Sequence, residues 1–279
     1  MILVTGATGN IGRHLVAELA AAGERVRAFA RGVLEPPPGV ELVRGDLSVP
    51  ASLEPALDGV EAAFLLWPQA SAEGHAGTIE VLTERVPKIV YLSSLTVRDD
   101  LEEQTHPMTA IHADIERSIR GAISRWTFLR AGKFDTNALA WASQIRETGS
   151  VRLPYPDAGR SPIHERDVAA VAARTLTDER FVGTSLVLTG PEALTEGQIV
   201  RATGAGLGRE VGVEEIAPGV ARREMLAAGL PTELADAALA YWELLVREPE
   251  PVTTTVPDIT GSPGRMFGEW MRENAVRFA

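Results

Sequence analysis

Gly6, Gly9 and Gly12 stand three residues apart near the start of the chain, in Gly6-Ala7-Thr8-Gly9-Asn10-Ile11-Gly12. A short apolar run, Ile2 to Thr5, precedes them. Residues at helical spacing, Ile11, Leu15, Val16 and Leu19, follow. A glycine triplet between a strand and a helix has a specific chemical use. The first glycine permits a tight turn, the second lets backbone N–H groups approach a pyrophosphate, and the third lets helix and strand pack closely. The helix N-terminus adds positive potential for phosphates. The spacing implies a dinucleotide site in which Thr8, Asn10 and Ile11 join the three glycines.

The end of the second strand discriminates between dinucleotides. An acid there holds a ribose 2′-OH, whereas an arginine suits a 2′-phosphate. The segment Arg25-Val26-Arg27-Ala28-Phe29-Ala30-Arg31 carries no acid, and Arg31 stands where the acid would be. A guanidinium pairs bidentately with phosphate, so NADP(H) is the preferred cofactor and NAD(H) remains possible. Asp46 and Leu47, after the third strand, are placed to meet the adenine. Leu66 after the fourth strand and Lys133 after the sixth complete the cofactor set.

Groups able to move a proton are scarce. The 279 residues include two lysines (Lys88, Lys133), three tyrosines (Tyr91, Tyr155, Tyr241), five scattered histidines and no cysteine. Disulfides and thiolate metal sites are excluded, and the histidines show no ligand spacing, so no metal is expected. The net charge is -11, with no basic segment that would hold nucleic acid. The N-terminal apolar run is too short for a signal peptide or a membrane span. The expectation is a cytoplasmic protein, monomer or homodimer, whose partner is a small molecule.

Alternating elements must position these groups. Strands are expected at Ile2–Thr5, Arg25–Ala30, Val40–Val43, Glu61–Leu66, Lys88–Leu92 and Trp126–Leu129. Helices are expected at Ala51–Leu57, Gly74–Arg85, Met108–Arg120 and Thr136–Arg146. This order predicts an α/β fold, a doubly wound parallel Rossmann sheet over residues 1–150. A smaller C-terminal α/β substrate lobe is expected over 151–279, interleaving with the first where the chain returns. It would hold strands near Val151 and Thr184–Leu188. Its helices would be Arg166–Leu176, Glu196–Thr203, Val220–Ala228 and Leu234–Val246. A long loop from Pro249 to Gly264 leads to an amphipathic helix with Phe267, Trp270 and Met271.

The Gly6-x-x-Gly9-x-x-Gly12 spacing resembles the extended and atypical short-chain dehydrogenase/reductases. The stretch from His112 to Asn137, with Glu116, Trp126-Thr127-Phe128-Leu129-Arg130 and Phe134, is similar to the NmrA-like branch. So is Pro162-Ile163-His164-Glu165-Arg166-Asp167-Val168-Ala169. The resemblance implies NAD(P) binding, and a branch holding both reductases and non-catalytic redox sensors. In the wider superfamily a serine after the fifth strand works with Tyr-x-x-x-Lys on the next helix. Ser94 matches the serine. His112 falls at the lysine position and Met108 at the tyrosine position, and methionine donates no proton. Ser94 and His112 are the candidate catalytic side chains, with His112 expected to titrate near neutrality. Trp67, Ser94, Thr96, Phe134, Asn137 and Trp141 are the candidate substrate residues, with Asn137 and Trp141 expected on one helix face. The favoured reading is a ketoreductase of a bulky aromatic carbonyl, as in polyketide antibiotic tailoring, its proton coming from substrate, water or His112. The alternative is an NmrA-type redox sensor.

Overall fold

The computed structural model of the protein describes residues 1–32, 35–68, 74–104 and 106–279. The elements begin β1 (Ile2–Thr5), α1 (Gly12–Ala21), β2 (Val26–Ala30), β3 (Glu41–Arg44), β4 (Ala62–Leu65), α2 (His75–Arg85), β5 (Lys88–Ser94), α3 (Pro107–Ala122) and β6 (Arg125–Ala131). They continue with α4 (Ala142–Thr148), β7 (Ser150–Leu153), β8 (Gly159–Arg160), α5 (Glu165–Thr177), β9 (Thr184–Leu188), β10 (Leu194–Thr195) and α6 (Glu196–Gly206). The last are β11 (Gly212–Glu215), α7 (Pro218–Ala227), α8 (Thr232–Arg247), α9 (Thr255–Thr260) and α10 (Phe267–Asn274).

The chain divides into two compact units. The first comprises Met1–Ala131, Glu165–Leu188 and Asp258–Gly261. Its sheet is parallel throughout, in the order β3-β2-β1-β4-β5-β6-β9. Helices α1 and α5 pack together beside the sheet, as do α2 and α3. Strands covered on both faces need apolar side chains on both, which is why β1 and β4 are buried at every position. One core cluster includes Leu3, Phe29, Leu65, Tyr91, Ile111, Ile115, Ile119 and Phe128.

Two segments assigned to the second lobe from sequence belong to this unit. Strand β9 extends the sheet beside β6, with Leu129 opposite Leu186, and α5 packs against α1. Periodicity reports that a segment is a strand but not which strand it pairs with, so the return of the chain to the first unit was legible only as a possibility. The Ala51–Leu57 helix is instead two 3₁₀ turns, Pro50–Ser52 and Glu54–Ala56. Helix α9 interrupts the expected loop from Pro249 to Gly264.

The second unit comprises Gly132–His164, Thr189–Pro257 and Ser262–Ala279. It holds two small sheets, β11 with β7 in parallel and β10 with β8 antiparallel. Phe267, Trp270 and Met271 of α10 pack with Ile145, Val151, Ile199 and Val200 to form its main core. Among the described residues no helix is long and apolar enough to cross a membrane, and no cluster of acidic residues or histidines has metal-ligand geometry.

An ion network deep in the first unit ties β6 to α3. The Arg130 guanidinium donates to Glu116 through Nε at 3.0 Å and Nη2 at 2.6 Å, and to Asp99 through Nη1 and Nη2, both at 2.7 Å. Ser93 Oγ donates to Glu116 Oε1 at 2.6 Å. The Arg130 and Glu116 side chains are 7% and 3% exposed, so each buried charge is compensated by the other. Removing Arg130 leaves the buried Glu116 with Arg120, a half-exposed partner 3.8 Å away, and costs it the closer pairing. Arg130→Met is expected to lower the unfolding free energy by about 3–5 kcal/mol, measured by urea denaturation. Glu116→Gln in the Arg130→Met background should recover part of it.

Candidate functional site

The parallel register brings the ends of β1, β4 and β5 to one edge of the first unit, with Val4 opposite Phe64 and Leu65 opposite Tyr91. Gly6 and Leu66 therefore follow, and Ser94 ends, strands that lie side by side. Thr5 ties two of these ends together: its Oγ1 donates to Phe64 O and accepts from Leu66 N, both at 3.0 Å.

The glycine turn has the stereochemistry its spacing implied. Gly6 has φ +63°, which glycine alone adopts without strain. A Cβ on Gly12 would lie 2.2 Å from Gly6 O and 2.7 Å from Gly6 C, so only glycine fits there. A Cβ on Gly9 would come within 3.1 Å of the same carbonyl. Helix α1 starts with Ile11 as its cap, with no side chain capping it and no acid in its first turn. Arg13 N donates to Gly9 O at 3.2 Å, and His14 N and Leu15 N to Ile11 O at 3.0 Å, so the backbone of the turn itself, and no side chain, caps the helix start. Thr8 and Gly9 are exposed and Asn10 is half-buried. This cradle fits a pyrophosphate, and its helix dipole favours the negative charge.

Arg31 follows β2 with its side chain 74% exposed, its Nη1 lying 4.0 Å from Asp46 Oδ2. Asp46 is fixed by Ser48, whose N and Oγ both donate to Oδ1 at 2.9 Å. These bonds hold its carboxyl below the usual range. An exposed guanidinium with one distant carboxylate suits a 2′-phosphate. Leu47 is placed differently from expectation: its side chain is in the core and its carbonyl accepts from Thr78 Oγ1, so it offers no apolar face to an adenine.

The sheet edge after β5 carries a chain of hydroxyls. Ser94 Oγ and Thr96 Oγ1 are 2.8 Å apart, and Thr96 Oγ1 lies 2.6 Å from Thr109 Oγ1. Thr96 N donates to Ser94 Oγ at 3.3 Å. Thr109 is on α3, one residue after Met108. Met108 packs against the core cluster and leaves no proton donor where the tyrosine would be. Thr109 was not singled out in the sequence. The signal for it is a polar stripe on α3, Thr109, His112 and Glu116, at helical spacing.

Three expectations for this unit and the next are corrected. His112 does not titrate near neutrality: its Nδ1 is hydrogen-bonded to Tyr91 OH at 2.7 Å, and burial pushes it down to about 4. Burial, then the charge of Glu116, push the Tyr91 phenol well above its ordinary value. Both are neutral at pH 7, and His112 is no proton source there. Trp67 is 7% exposed within the core cluster, edge-on to His75 at 6.2 Å, rather than an open wall. Lys133 is not available for a ribose: its ammonium pairs with Glu196, lies 4.9 Å from the Trp141 ring centroid, and is pushed down by burial.

Lys133, Phe134, Asn137 and Trp141 belong to the second unit. Phe134 is half-buried and bridges to Ile163. Asn137 is exposed, while Trp141 packs against the core. They do not share a face, because Asp135–Trp141 is a 3₁₀ segment. Three residues per turn put positions four apart about 120° from each other. Sequence also missed the buried cluster around Lys133. Arg160 donates to Glu196 Oε1 at 2.9 Å and to Glu250 Oε1 at 2.7 Å, and Tyr241 OH donates to Glu250 Oε1 at 3.1 Å. Burial opposes the charge on Glu196, but Lys133 and Arg160 outweigh it and hold its carboxyl low.

A family model described as the NmrA-like family matches residues 1–250. The (4-alkanoyl-5-oxo-2,5-dihydrofuran-3-yl)methyl phosphate reductase of Streptomyces griseus is 35% identical, covering 100% of this chain and 99% of that one. The NAD(P)H azoreductase of Xenophilus azovorans is 30% identical with the same coverage, 100% and 99%. Among solved structures, the NADPH complex of the NADPH-dependent quinone oxidoreductase of Escherichia coli is similar, with a TM-score of 0.80 and 23% identity, covering 98% and 99% of the two chains.

The His112 geometry gives a pH dependence. Its ordinary value is 6.5 and its folded value about 4, so between these the unfolded state binds the extra proton. Its contribution to stability is complete above pH 6.5 and is lost as pH falls towards 4. Urea melts at pH 7 and pH 5 should show lower stability at pH 5. His112→Gln, which titrates nowhere in this range, should reduce that difference.

Proposed function

The chain belongs to the NmrA-like family, and from that premise we propose that it is an NAD(P)H-dependent reductase whose substrates are conjugated carbonyl compounds. The glycine cradle and the exposed Arg31 support NADPH as the donor. When bound, the reduced nicotinamide supplies hydride. Full-length relatives named as reductases favour this reading over a non-catalytic redox sensor.

The observation that carries the substrate class is Met108, half-buried against the core at the position a tyrosine acid would take, one residue before the Thr109 hydroxyl that leads through Thr96 to the half-buried Ser94. Hydride addition to an isolated ketone leaves an alkoxide, whose basicity resembles that of hydroxide, the conjugate base of water with pKa about 15.7. An alkoxide needs a matched acid. Hydride addition to a quinone or an α,β-unsaturated ketone leaves a phenolate or enolate, and a phenol has pKa about 10. Such an oxyanion needs only a hydrogen bond, with its proton taken later from water. A neutral hydroxyl suffices, and Ser94 provides one. Two relatives' names point the same way, since they specify an oxo-dihydrofuran and a quinone. An aromatic ketone with an adjacent phenol falls in the same class, because its own phenol can protonate the product oxygen.

Steady-state assays with NADPH and a panel of a 1,4-quinone, an unsaturated lactone and an isolated aliphatic ketone test this. The first two are expected to be reduced and the third not. Faster reduction of the isolated ketone would sink the substrate class. Met108→Phe should leave quinone reduction largely intact, since position 108 supplies packing and no proton. Titration of both cofactors should show NADPH binding more tightly than NADH. Arg31→Ala should weaken NADPH by about tenfold, the value of one charge-assisted phosphate contact, and leave NADH nearly unchanged.

A further inference from the structure

The hydroxyl chain after β5 has a terminus on the sheet edge and an anchor on α3. Ser94 Oγ accepts from Thr96 N at 3.3 Å and lies 2.8 Å from Thr96 Oγ1, which lies 2.6 Å from Thr109 Oγ1. Thr109 is 4% exposed, and Ser94 is half-buried. A hydroxyl has one proton and two lone pairs. When Thr109 donates to Thr96 and Thr96 donates to Ser94, both lone pairs of Ser94 are occupied, one by Thr96 N–H and one by Thr96 O–H. The Ser94 proton then has no place in the chain and points outward. Hydrogen bonds in series also polarise one another, which strengthens the terminal donor.

We propose that Thr109 and Thr96 are positioning residues that set the Ser94 hydroxyl as a hydrogen-bond donor to the substrate oxygen, taking over the orienting part that an acid on α3 would otherwise play. This rests on the reductase reading above. Its physical basis is the α3 stripe. Thr109, His112 and Glu116 each bond to β5 or the loop after it, through Thr96, Tyr91 and Ser93. The helix cannot rotate or slide without breaking all three, so the Thr109 oxygen is held at a fixed distance from the Ser94 loop. Asp99, bonded twice to Arg130, pins the far end of the same loop. A donor held in advance of charge development contributes more than one that must reorient. No atom of Thr96 or Thr109 is required to contact the substrate, and no proton leaves the chain in the hydride step.

The test is a double-mutant cycle with NADPH and a quinone. Thr109→Val keeps the shape and removes the hydroxyl. Removing an oxyanion donor outright costs about 100-fold or more in kcat, so Ser94→Ala should show a loss of that order. Thr109→Val, which only releases the donor's orientation, should lower kcat by roughly tenfold with KM and NADPH affinity unchanged. Thr109→Ser should restore kcat. In the Ser94→Ala background Thr109→Val should add little, because the group it orients is gone. Thr96→Val should behave as Thr109→Val does, and serves in its place if the valine at 109 does not fold. Wild-type kcat in Thr109→Val, or losses that add fully in the double variant, would overturn the proposal while leaving the reductase reading intact. A wild-type protein that reduces none of the acceptors overturns both.

Discussion

Helix α3 is bound to strand β5 by side chains at three successive points on one stripe. Thr109 reaches the loop after β5 through Thr96, His112 meets Tyr91, and Glu116 takes Ser93 together with the buried guanidinium of Arg130. The Arg130–Glu116 pair is the most buried charged contact among them, each side chain less than a tenth exposed. Its consequence is geometric. With α3 fixed against β5 and β6, the Ser94 hydroxyl, the loop to Asp99 and the apolar side chain of Met108 all take set positions. The interior Tyr91–His112 pair follows from the same constraint. Tyr91 is buried under the helix and His112 partly so, and burial keeps both rings neutral.

The nucleotide end of the first unit depends on a different constraint, the absence of side chains. Gly12 sits against the Gly6 carbonyl with no room for a methyl group, and this close approach aims the start of α1 at the turn. An uncapped helix start costs stability unless water or a ligand satisfies its amides. Here Gly9 O and Ile11 O accept from the first-turn amides, and with no acid in that turn the positive end of the helix dipole stays uncompensated by a carboxylate. Arg31, 74% exposed after β2, is the side chain on which the proposed preference for NADPH rests, while the proposed phosphate cradle is built from backbone.

Charge is handled in the second unit much as in the first, by closing buried ions into satisfied clusters. Lys133 and Arg160 face Glu196 and Glu250, with Tyr241 bonded to one carboxylate and Trp141 near the ammonium. The cluster has two positive and two negative groups, so it holds no net charge to attract a ligand. Lys133 stands at the end of β6, where ligands gather in sheets of this kind, yet the cluster assigns it a structural part.

Much of this protein was legible locally. The glycine triplet, the missing acid after β2, the alternation of strands and helices and the methionine at position 108 are each contained in a few neighbouring residues. Each constrains the backbone or removes a functional group wherever the chain goes. Pairings between distant residues were not legible. The partnership of β9 with β6, the ion pair of Lys133 with Glu196 and the bond between Tyr91 and His112 join residues 21 to 63 positions apart or pair whole strands. No periodicity encodes them. Solvation was hidden for the same reason, since whether His112 titrates or Trp67 is a wall or core depends on what packs over it. The sequence by itself determined the first six strands of the sheet, the glycine turn and the lack of a tyrosine at position 108, because these follow from residue type and spacing. Tertiary structure decided which polar groups remain available for chemistry, because availability is what is left after burial and pairing have claimed their share.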